Sequence, residues 1–195
     1  MARELELDLV RRVRAGDAAA FDAIHAEFNT RLFNFLARLS RCRDVAEDLL
    51  DETWLRFVDR AHRIKPDTRL GPFLFTVARN LHVSYCRSRL LEEAQTADAI
   101  GLWPLGTPRP SPFDATVANE TGRRIDEAVA ALPAAQREAL LLVAIEGMKP
   151  AEAATVCGVT PEAMRQRLSR ARIAVARHLD DPDGTVLVNL KAVTT

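Results

Sequence analysis

The sequence predicts an all-α protein in which two small helical domains are joined by a proline-rich linker. Apolar residues recur at three- and four-residue intervals on both sides of the linker, which is the spacing of one face of an α-helix. Four of the ten prolines lie between residues 94 and 122, where this spacing is lost. We therefore expect domains at residues 1–93 and 123–179, a linker at 94–122 and a carboxyl-terminal tail at 180–195.

The first domain contains three predicted amphipathic helices. The first covers the apolar run from residue 20 to 36, the second extends from residue 44 to about 60, and the third from about 71 to 89. The positions expected to face the core are Ala20, Phe21, Ile24, Phe28, Leu32, Phe35 and Leu36 in the first helix, Leu50, Trp54, Phe57 and Val58 in the second, and Leu74, Val77, Ala78, Leu81 and Tyr85 in the third. Three such faces predict one helical bundle.

The second predicted helix concentrates carboxylates on one side. They are Asp44, Asp48, Asp51, Glu52 and Asp59. Like charges at this spacing repel each other unless solvent screens them or a basic partner neutralises them. A solvated face and a surface that binds a basic partner both remain open at this point.

The third predicted helix combines arginines with an amide and an aromatic ring. Arg79, Asn80, Tyr85 and Arg87 are the side chains concerned. Bases of single-stranded nucleic acid stack on aromatic rings, and their phosphates are bound by arginine. An asparagine that simply faces water is the alternative, and residue types alone favour it.

Residues 132–172 have the features of two helices separated by a short turn. Gly158 suits the left-handed conformation that ends a helix, and Thr160 followed by Pro161 supplies a hydroxyl cap and a proline at the first helical position. Two helices joined in this way form a helix-turn-helix, whose second helix enters the major groove of DNA.

The second helix of this pair divides into an apolar stripe and a polar face. The residues expected to face the core are Met164, Leu168, Ala171, Val175 and Leu179. The polar residues are Gln166, Ser169, Arg170 and Arg177 on the opposite side, with Arg165 and Arg172 at its edges. These side chains donate hydrogen bonds of the kind that base edges and phosphates accept. A solvated amphipathic helix is the alternative, but the turn, the cap and the polar face together favour DNA recognition.

The net charge of the chain is zero, yet the charge is unevenly distributed. Lysine and arginine number 27, as do aspartate and glutamate, but residues 123–179 hold nine basic against six acidic side chains. Basic charge focused on one domain attracts phosphate even when the whole chain is neutral. The small excess predicts weak binding to DNA unless a partner helps.

Several classes of function are excluded by the composition and by missing motifs. The chain is 48% hydrophobic without a run long enough to cross a membrane, and its start has no signal-peptide pattern, so we expect a cytoplasmic protein. The motifs of phosphate-binding loops, dinucleotide folds, serine hydrolases and zinc proteases are absent, so we expect no enzyme, no cofactor and no small-molecule substrate.

The cysteines and histidines do not predict a metal site. Cys42, Cys86 and Cys157 form no CxxC pair, which favours free thiols in a reducing compartment. His82 and Cys86 lie four residues apart on a predicted helix, but no third ligand accompanies them. Cys157, in the turn of the helix pair, is expected to be a small apolar filler.

The order of these segments resembles that of the extracytoplasmic-function sigma factors, bacterial initiation factors that retain regions 2 and 4. Region 2 is matched by GDAAAFDAIHAEF, RDVAEDLLDETWLRF and FLFTVARNL, and region 4 by LPAAQREALLL, AEAATVCGV and RQRLSRAR. The resemblance covers residues 16 to 179 apart from the linker. It is specific because all of these segments occur in order at the family's spacing.

The resemblance implies a role for each group of polar residues. The helix that begins at Asp44 would bind the basic clamp helices of the polymerase β′ subunit, with Asp44, Asp48, Asp51 and Glu52 as contacts. The next helix would melt the minus-10 element and bind its unpaired bases, through Arg79, Asn80, Tyr85 and Arg87. The last helix would recognise the minus-35 element through Arg165, Gln166, Ser169, Arg170 and Arg172.

The function implied is that of a promoter-specificity factor without catalysis of its own. It would bring core RNA polymerase to one class of promoter DNA, and an anti-sigma factor is a further expected partner. A stand-alone helix-turn-helix regulator is the alternative, although it leaves the acidic helix without a role. A helical adaptor that binds only protein is a third hypothesis, which a DNA-binding test on Arg170 would separate from the other two.

Overall fold

The computed structural model describes residues 3–100 and 120–179, with side chains over residues 3–92 and 123–179. All regular elements in these ranges are helical, as the sequence predicts. The described residues form two compact units, one that contains residues 3–68 and 74–100 and one that contains residues 69–73 and 120–179. The greater part of the predicted linker, residues 101–119, and the tail at 180–195 lie outside the described residues. The predicted domain boundaries therefore stay predictions.

The first unit begins with a helical hairpin. Helix α1 spans Arg3–Arg14 and helix α2 spans Ala18–Ser40. Between them, Asp17 caps α2, because its Oδ1 accepts hydrogen bonds from the backbone N–H of Ala19 at 2.9 Å and of Ala20 at 3.3 Å. The apolar stripe predicted for α2 is confirmed for Ala20, Ile24, Phe28, Leu32, Phe35 and Leu36, which are all buried, whereas Phe21 is half-buried.

Helix α3 spans Arg43–Arg60 and packs against α2. Leu50, Trp54 and Phe57 are buried as predicted, and the indole N–H of Trp54 donates a 2.9 Å hydrogen bond to Asn29 Oδ1. The expectation that Val58 faces the core is wrong, because this side chain is 55% exposed. The buried side of α3 is centred near Phe57, and Val58 lies about 100° around the helix from Phe57, beyond the edge of that side.

Helix α4 spans Leu70–Ile100 and is longer than the predicted segment. It follows a 3₁₀ turn at Ala61–Arg63, and it buries Leu74, Phe75, Ala78 and Leu81. The helix continues through the first residues of the predicted linker because residues 94–100 contain neither proline nor glycine. A proline-rich composition further along does not end a helix before the first proline is reached.

The second unit begins with two helices that meet at a corner. Helix α5 spans Glu120–Ala131, and α6 spans Ala134–Leu140 before continuing as a π-helical turn over Leu141–Ile145. The corner is fixed by the buried Arg137, whose guanidinium donates to the carbonyl oxygens of Val129 at 3.2 Å and Leu132 at 2.9 Å. A cation thus donates hydrogen bonds to carbonyl groups at the end of α5 and just after it.

The helix pair predicted from the sequence completes this unit. Helix α7 spans Pro150–Cys157 and helix α8 spans Pro161–His178. Cys157 is buried in the turn, as expected of a small apolar filler. In the part of the chain that the structure describes, no helix has the length and apolar character needed to span a membrane.

Candidate nucleic-acid interface and acidic face

The turn between α7 and α8 fixes where the polar face of α8 begins. Gly158 has φ +64° and ends α7, and the N–H of Val159 returns to the carbonyl of Ala154 at 3.0 Å. Thr160 Oγ1 then accepts a 3.1 Å hydrogen bond from the N–H of Ala163, with Pro161 at the first helical position. The end and the start predicted from the sequence are both confirmed.

Helix α8 separates its apolar and polar side chains as predicted. The buried residues are Met164, Leu168, Ala171, Val175 and Leu179. The minus-35 candidates Arg165, Gln166, Ser169, Arg170 and Arg172 are all exposed. The structure therefore presents five hydrogen-bonding side chains on the solvent side of one rigid helix, which is the arrangement that a major-groove helix requires.

One acidic side chain organises the start of this polar face. Glu162 forms an ion pair with Arg165. The hydrogen bond and the charge of Arg165 lower the pKa of the Glu162 carboxyl, and a hydrogen bond from Gln166 lowers it further. Glu162 is therefore ionised at neutral pH and holds two of the candidate DNA-contacting side chains on its own side of the helix.

The candidates on α8 fall into two groups around a groove. The groove has a volume of about 570 Å³, and its lining residues are Val143, Pro150, Arg165, Leu168, Ser169, Arg172 and Ile173. Arg165, Ser169 and Arg172 thus border the groove, whereas Gln166 and Arg170 lie away from it. Ile173 is 50% exposed at this groove, and the sequence reasoning did not single it out.

The carboxylates of α3 form a surface that we call the acidic face, made of Asp44, Asp48, Asp51, Glu52 and Asp59. Glu52 Oε1 accepts a 2.7 Å hydrogen bond from Arg56 Nε, so part of its charge is neutralised. Asp44, Asp48 and Asp51 are exposed and form no ion pair with any residue that the structure describes. The acidic face therefore keeps most of its negative charge available to a partner.

Two features of α3 were missed by the sequence reasoning. Leu55 is 66% exposed and Val58 is 55% exposed, and both lie on the acidic face. The signal was present in the sequence, because Leu55 follows Asp51 by four residues and Asp48 by seven, which is the spacing of one helix side. The predicted core side of this helix includes Val58 with Leu50, Trp54 and Phe57, and it leaves Leu55 unassigned.

The minus-10 candidates on α4 do not all share one side of the helix. Asn80 and Arg87 are exposed and lie seven residues apart, so they point in nearly the same direction. Arg79 is half-buried, and its Nη1 lies 3.5 Å from Asn80 Oδ1. Tyr85 is also half-buried and lies about 140° around the helix from Asn80. The structure thus brings Arg79, Asn80 and Arg87 together and separates Tyr85 from them.

Basic side chains also cluster immediately before α4. The turn after α3 carries Arg60, His62, Arg63 and Lys65, all exposed. Arg3 from α1 holds the following residues in place, since its Nη2 donates a 2.6 Å hydrogen bond to the carbonyl oxygen of Asp67. The density of basic residues between positions 60 and 65 was the sequence signal for this cluster. Its charge is suited to phosphate groups.

The pair formed by His82 and Cys86 lies on α4. The Cys86 sulfur and His82 Nε2 are 3.6 Å apart. Among the residues that the structure describes, no group of three or more histidine, cysteine, aspartate or glutamate side chains is arranged to hold a metal ion. Two donors alone do not complete the tetrahedral set that zinc prefers.

Comparison with known protein families matches both units separately. Residues 24–90 match the family described as Sigma-70 region 2, and residues 122–175 match the family described as Sigma-70, region 4. The first match includes the acidic face and the candidates on α4, and the second includes the whole turn and most of α8.

Individual relatives give the same assignment. The RNA polymerase sigma factor CarQ of Myxococcus xanthus is 30% identical over 161 residues, which are 83% of this chain and 90% of CarQ. The ECF RNA polymerase sigma factor EcfG of Rhodopseudomonas palustris is 35% identical over 138 residues, 71% of this chain and 73% of EcfG. The chain spans only 36% and 66% of the length of two other curated relatives, from Xanthomonas campestris and Streptomyces coelicolor.

A solved structure supports the same conclusion. The sigma factor RpoE from Bartonella quintana, crystallised with the anti-sigma factor NepR, has a TM-score of 0.67 and 27% identity to this chain. The alignment covers 83% of this chain and 98% of RpoE. With regions 2 and 4 both matched, and with relatives at 30% identity or more over at least two thirds of each chain, this chain belongs to the extracytoplasmic-function family of RNA polymerase sigma factors.

Proposed function

We propose that this chain directs core RNA polymerase to one class of promoter and helps to open it, without catalysis of its own. The observation that carries the proposal is the placement of two opposite surfaces on separate helical units. The acidic face lies on α3 of the first unit, and the exposed arginine and amide face lies on α8 of the second. A factor that must bind both a basic protein surface and DNA needs such a separation, because adjacent surfaces of opposite charge would neutralise each other.

The acidic face is proposed to bind the clamp helices of the polymerase β′ subunit. Asp44, Asp48 and Asp51 support this role because they are exposed and carry charge that no described residue neutralises. Glu52, which Arg56 already pairs, would contribute less. Complementary charge of this kind mainly accelerates association and fixes orientation.

Helix α4 is proposed to bind the unpaired strand of the minus-10 element. Asn80 and Arg87 share an exposed side on which an amide can bond to a flipped base while an arginine binds phosphate. Arg79 is close enough to orient Asn80, whereas Tyr85 leaves the helix about 140° from Asn80 and would not contact the same base. Helix α8 is proposed to recognise the minus-35 element in duplex form.

The partners proposed are core RNA polymerase, promoter DNA and an inhibitory anti-sigma factor. The last is suggested by the relative from Bartonella quintana, whose structure was solved with such a protein. A cytoplasmic location follows from this role, since the polymerase and the promoter are there. A stand-alone regulator would leave the acidic face without a partner, so we do not favour it.

Reconstituted transcription tests the role of the acidic face. Purified chain is added to core polymerase with a library of promoter fragments, and transcripts are sequenced. We expect one promoter class that core enzyme alone does not transcribe. The triple variant Asp44→Asn, Asp48→Asn, Asp51→Asn should lose this activity, whereas Asp22→Asn, an exposed carboxylate on α2, should retain it. Activity of the triple variant equal to that of the parent would refute the assignment of α3.

Promoter opening tests the role of α4 separately. Permanganate reactivity of unpaired thymines reports melting, and a gel-shift assay on the same complex reports binding to duplex DNA. We expect Asn80→Ala to reduce thymine reactivity while leaving the closed complex intact. Ser88→Ala, at another exposed position of α4, serves as the matched control. Equal melting by both variants would show that Asn80 does not contact the unpaired strand.

A further inference from the structure

The groove beside helix α8 has an apolar part for which DNA recognition gives no role. Its apolar lining residues are Val143, Pro150, Leu168 and Ile173, and its polar border is formed by Arg165, Ser169 and Arg172. Ile173 is 50% exposed there, whereas Leu168 is buried. Phosphates and base edges are bound mostly through charge and hydrogen bonds. The groove therefore fits an occupant that is itself partly apolar.

The sequence after α8 predicts a reversal of the chain. Residues 181–184 have the sequence Asp-Pro-Asp-Gly, with proline at the second and glycine at the fourth position of a type I β-turn. They separate α8 from residues 186–190, Val-Leu-Val-Asn-Leu, which are mostly apolar. A turn at this point would send the apolar residues back along α8 toward its first turn.

The structure fixes the point from which this segment starts. Leu179 is buried, and its carbonyl oxygen accepts a 3.3 Å hydrogen bond from Arg124 Nη2 on α5. Ile173 and Arg165 precede Leu179 by six and fourteen residues, which places them about 9 and 21 Å back along the helix. Residues 185–190 would span about 20 Å if extended, so they are long enough to follow the groove.

The charges of the segment and of the helix are complementary. Asp180, Asp181 and Asp183 precede the apolar residues. Arg172 borders the groove, Arg177 lies in the last turn of α8, and both are exposed. In a segment that returns along α8, the carboxylates would lie near these arginines and the apolar residues near the groove. Opposite charges at these positions favour that direction of docking.

We propose that residues 185–190 dock in the groove of their own second unit and cover Arg165, Ser169 and Arg172. The docking goes beyond the proposed function, and only its effect on DNA rests on that function. Because the covered side chains are candidates for binding the minus-35 element, the docked segment competes with duplex DNA. The apparent affinity for DNA then falls with the fraction of undocked chains, about tenfold if roughly nine tenths are docked.

The covalent connection favours the chain's own segment over other occupants. A segment joined to α8 through residues 180–184 is present at an effective concentration on the order of millimolar. A separate protein, or the same segment of a second copy, must compete with that concentration. Exchange of the segment between two copies is the closest rival, because it would use the same contacts.

Nuclear magnetic resonance of the methyl-labelled full-length chain tests the docking. We expect nuclear Overhauser effects between the Ile173 δ1 methyl group and methyl groups of residues 186–190. The triple variant Val186→Ser, Val188→Ser, Leu190→Ser should lose them and shift the Ile173 resonance. Ala192→Ser with Val193→Ser, beyond the docked segment, should leave both unchanged. The buried Ile125 of α5 is the internal reference, and the thermal midpoints report that all variants are folded.

Fluorescence anisotropy with a labelled DNA duplex tests the competition. None of these substitutions changes the charge of the chain, so a change in affinity reports exposure of the covered side chains. We expect the triple variant to bind about tenfold more tightly than the parent, and the Ala192→Ser, Val193→Ser control to bind like the parent. Ile173→Ser, on the groove side, should also strengthen binding. Combined with the triple variant it should add little, because both changes disrupt one contact.

The outcomes separate the inference from the proposed function. Absence of the Overhauser effects in the parent, with one Ile173 resonance position in all tail variants, would overturn the docking. Effects seen only between differently labelled copies would also overturn it, in favour of exchange between two chains. Docking with equal DNA affinities for parent and triple variant would refute the competition. Docking in a chain of which no variant binds DNA would count against the proposed function and leave the docking supported.

Discussion

Asp17 shows how one side chain can fix the geometry between two helices. Its Oδ1 caps α2, and its Oδ2 accepts a 2.8 Å hydrogen bond from Arg12 Nε on α1. The hydrogen bond from Arg12 is the main cause of a lowered pKa for the Asp17 carboxyl, and the N–H groups of Ala20 and Ala19 add to the shift. The same pairing raises the pKa of Arg12. The ionised form of Asp17 is thus stabilised by the folded structure.

The pH dependence of stability follows from the direction of this shift. A lowered folded pKa means that Asp17 stabilises the fold above its unfolded pKa, and that this contribution is lost as the pH falls through the folded pKa. Asp17→Asn retains a good cap but removes the charge. We expect the variant to unfold at lower urea than the parent at pH 7, with the difference vanishing in acid. Asp22→Asn should show no such convergence, and a gap that persists in acid would contradict the role of the charge.

Glu162 is expected to limit the use of Arg165 in the proposed DNA binding. Its lowered pKa keeps it ionised at neutral pH, where it pairs with Arg165 and adds negative charge to the helix proposed to face DNA. We expect Glu162→Gln to bind duplex DNA more tightly and to steepen the salt dependence by roughly one unit, because one more cation is free for phosphate. Fluorescence anisotropy at several salt concentrations measures this. Glu127→Gln, which removes the carboxylate that pairs with Arg123 on α5, is the control, and an unchanged slope for Glu162→Gln would count against the idea.

At the scale of the element, the position of α8 depends on the turn that precedes it. Gly158 adopts a positive φ to end α7, and Thr160 caps the first turn of α8 three residues before Ala163. Without the cap, the first turn of the helix would lose a hydrogen-bond acceptor for one of its free N–H groups. The polar face begins at Arg165, so the direction of its side chains depends on the geometry of that first turn.

The cap is expected to contribute measurably to stability. Thr160→Ala should lower the free energy of unfolding by about 1 kcal/mol, as measured by urea denaturation followed by circular dichroism. Thr155→Ala is the matched control, because its hydroxyl donates only to the carbonyl of Ala151 within α7, at 3.1 Å. Loss of this hydrogen bond should change the free energy of unfolding little, because alanine has a higher helix propensity than threonine. Equal losses for both variants would show that capping is not the cause.

At the scale of the whole molecule, the chain carries equal numbers of positive and negative charges. These charges are distributed over surfaces that are proposed to bind different partners. The net charge is zero, so long-range attraction to DNA is weak, and in the proposed function the polymerase would supply much of the affinity. Promoter binding by the complex would then be favoured over binding by the free chain. Because the two proposed surfaces lie on separate units, we expect that each can be disabled without disturbing the other.

A variant of α8 tests this independence. Arg170→Ala should leave binding to core polymerase unchanged and weaken promoter binding by the complex roughly tenfold to a hundredfold, as expected for loss of a base contact. Arg123→Ala, at an exposed position of α5, is the control for loss of one positive charge in the same unit. Weaker polymerase binding by Arg170→Ala would show that the two surfaces are coupled.

Much of this protein was determined by the sequence itself. Local signals were sufficient for the helix ends at Gly158 and Thr160, because a left-handed residue and a hydroxyl cap act within a few positions. The apolar stripes of α2 and α8 were predicted correctly, because a stripe at helical spacing must be buried against something. The carboxylates of α3 also indicated a basic partner, and the arginine and amide side chains of α4 and α8 indicated nucleic acid.

Only the tertiary structure decided which side chains of each kind face solvent and which neighbours they meet. The helical spacing predicts Val58 on the core side with Leu50, Trp54 and Phe57, but the packing of α3 against α2 leaves it exposed beside Leu55. The separation of Tyr85 from Asn80, and the pairing of Glu162 with Arg165, likewise depend on helix orientation and side-chain conformation. The periodicity of a sequence fixes the relative angles of residues on one helix, but the direction that faces the core is set by contacts between helices.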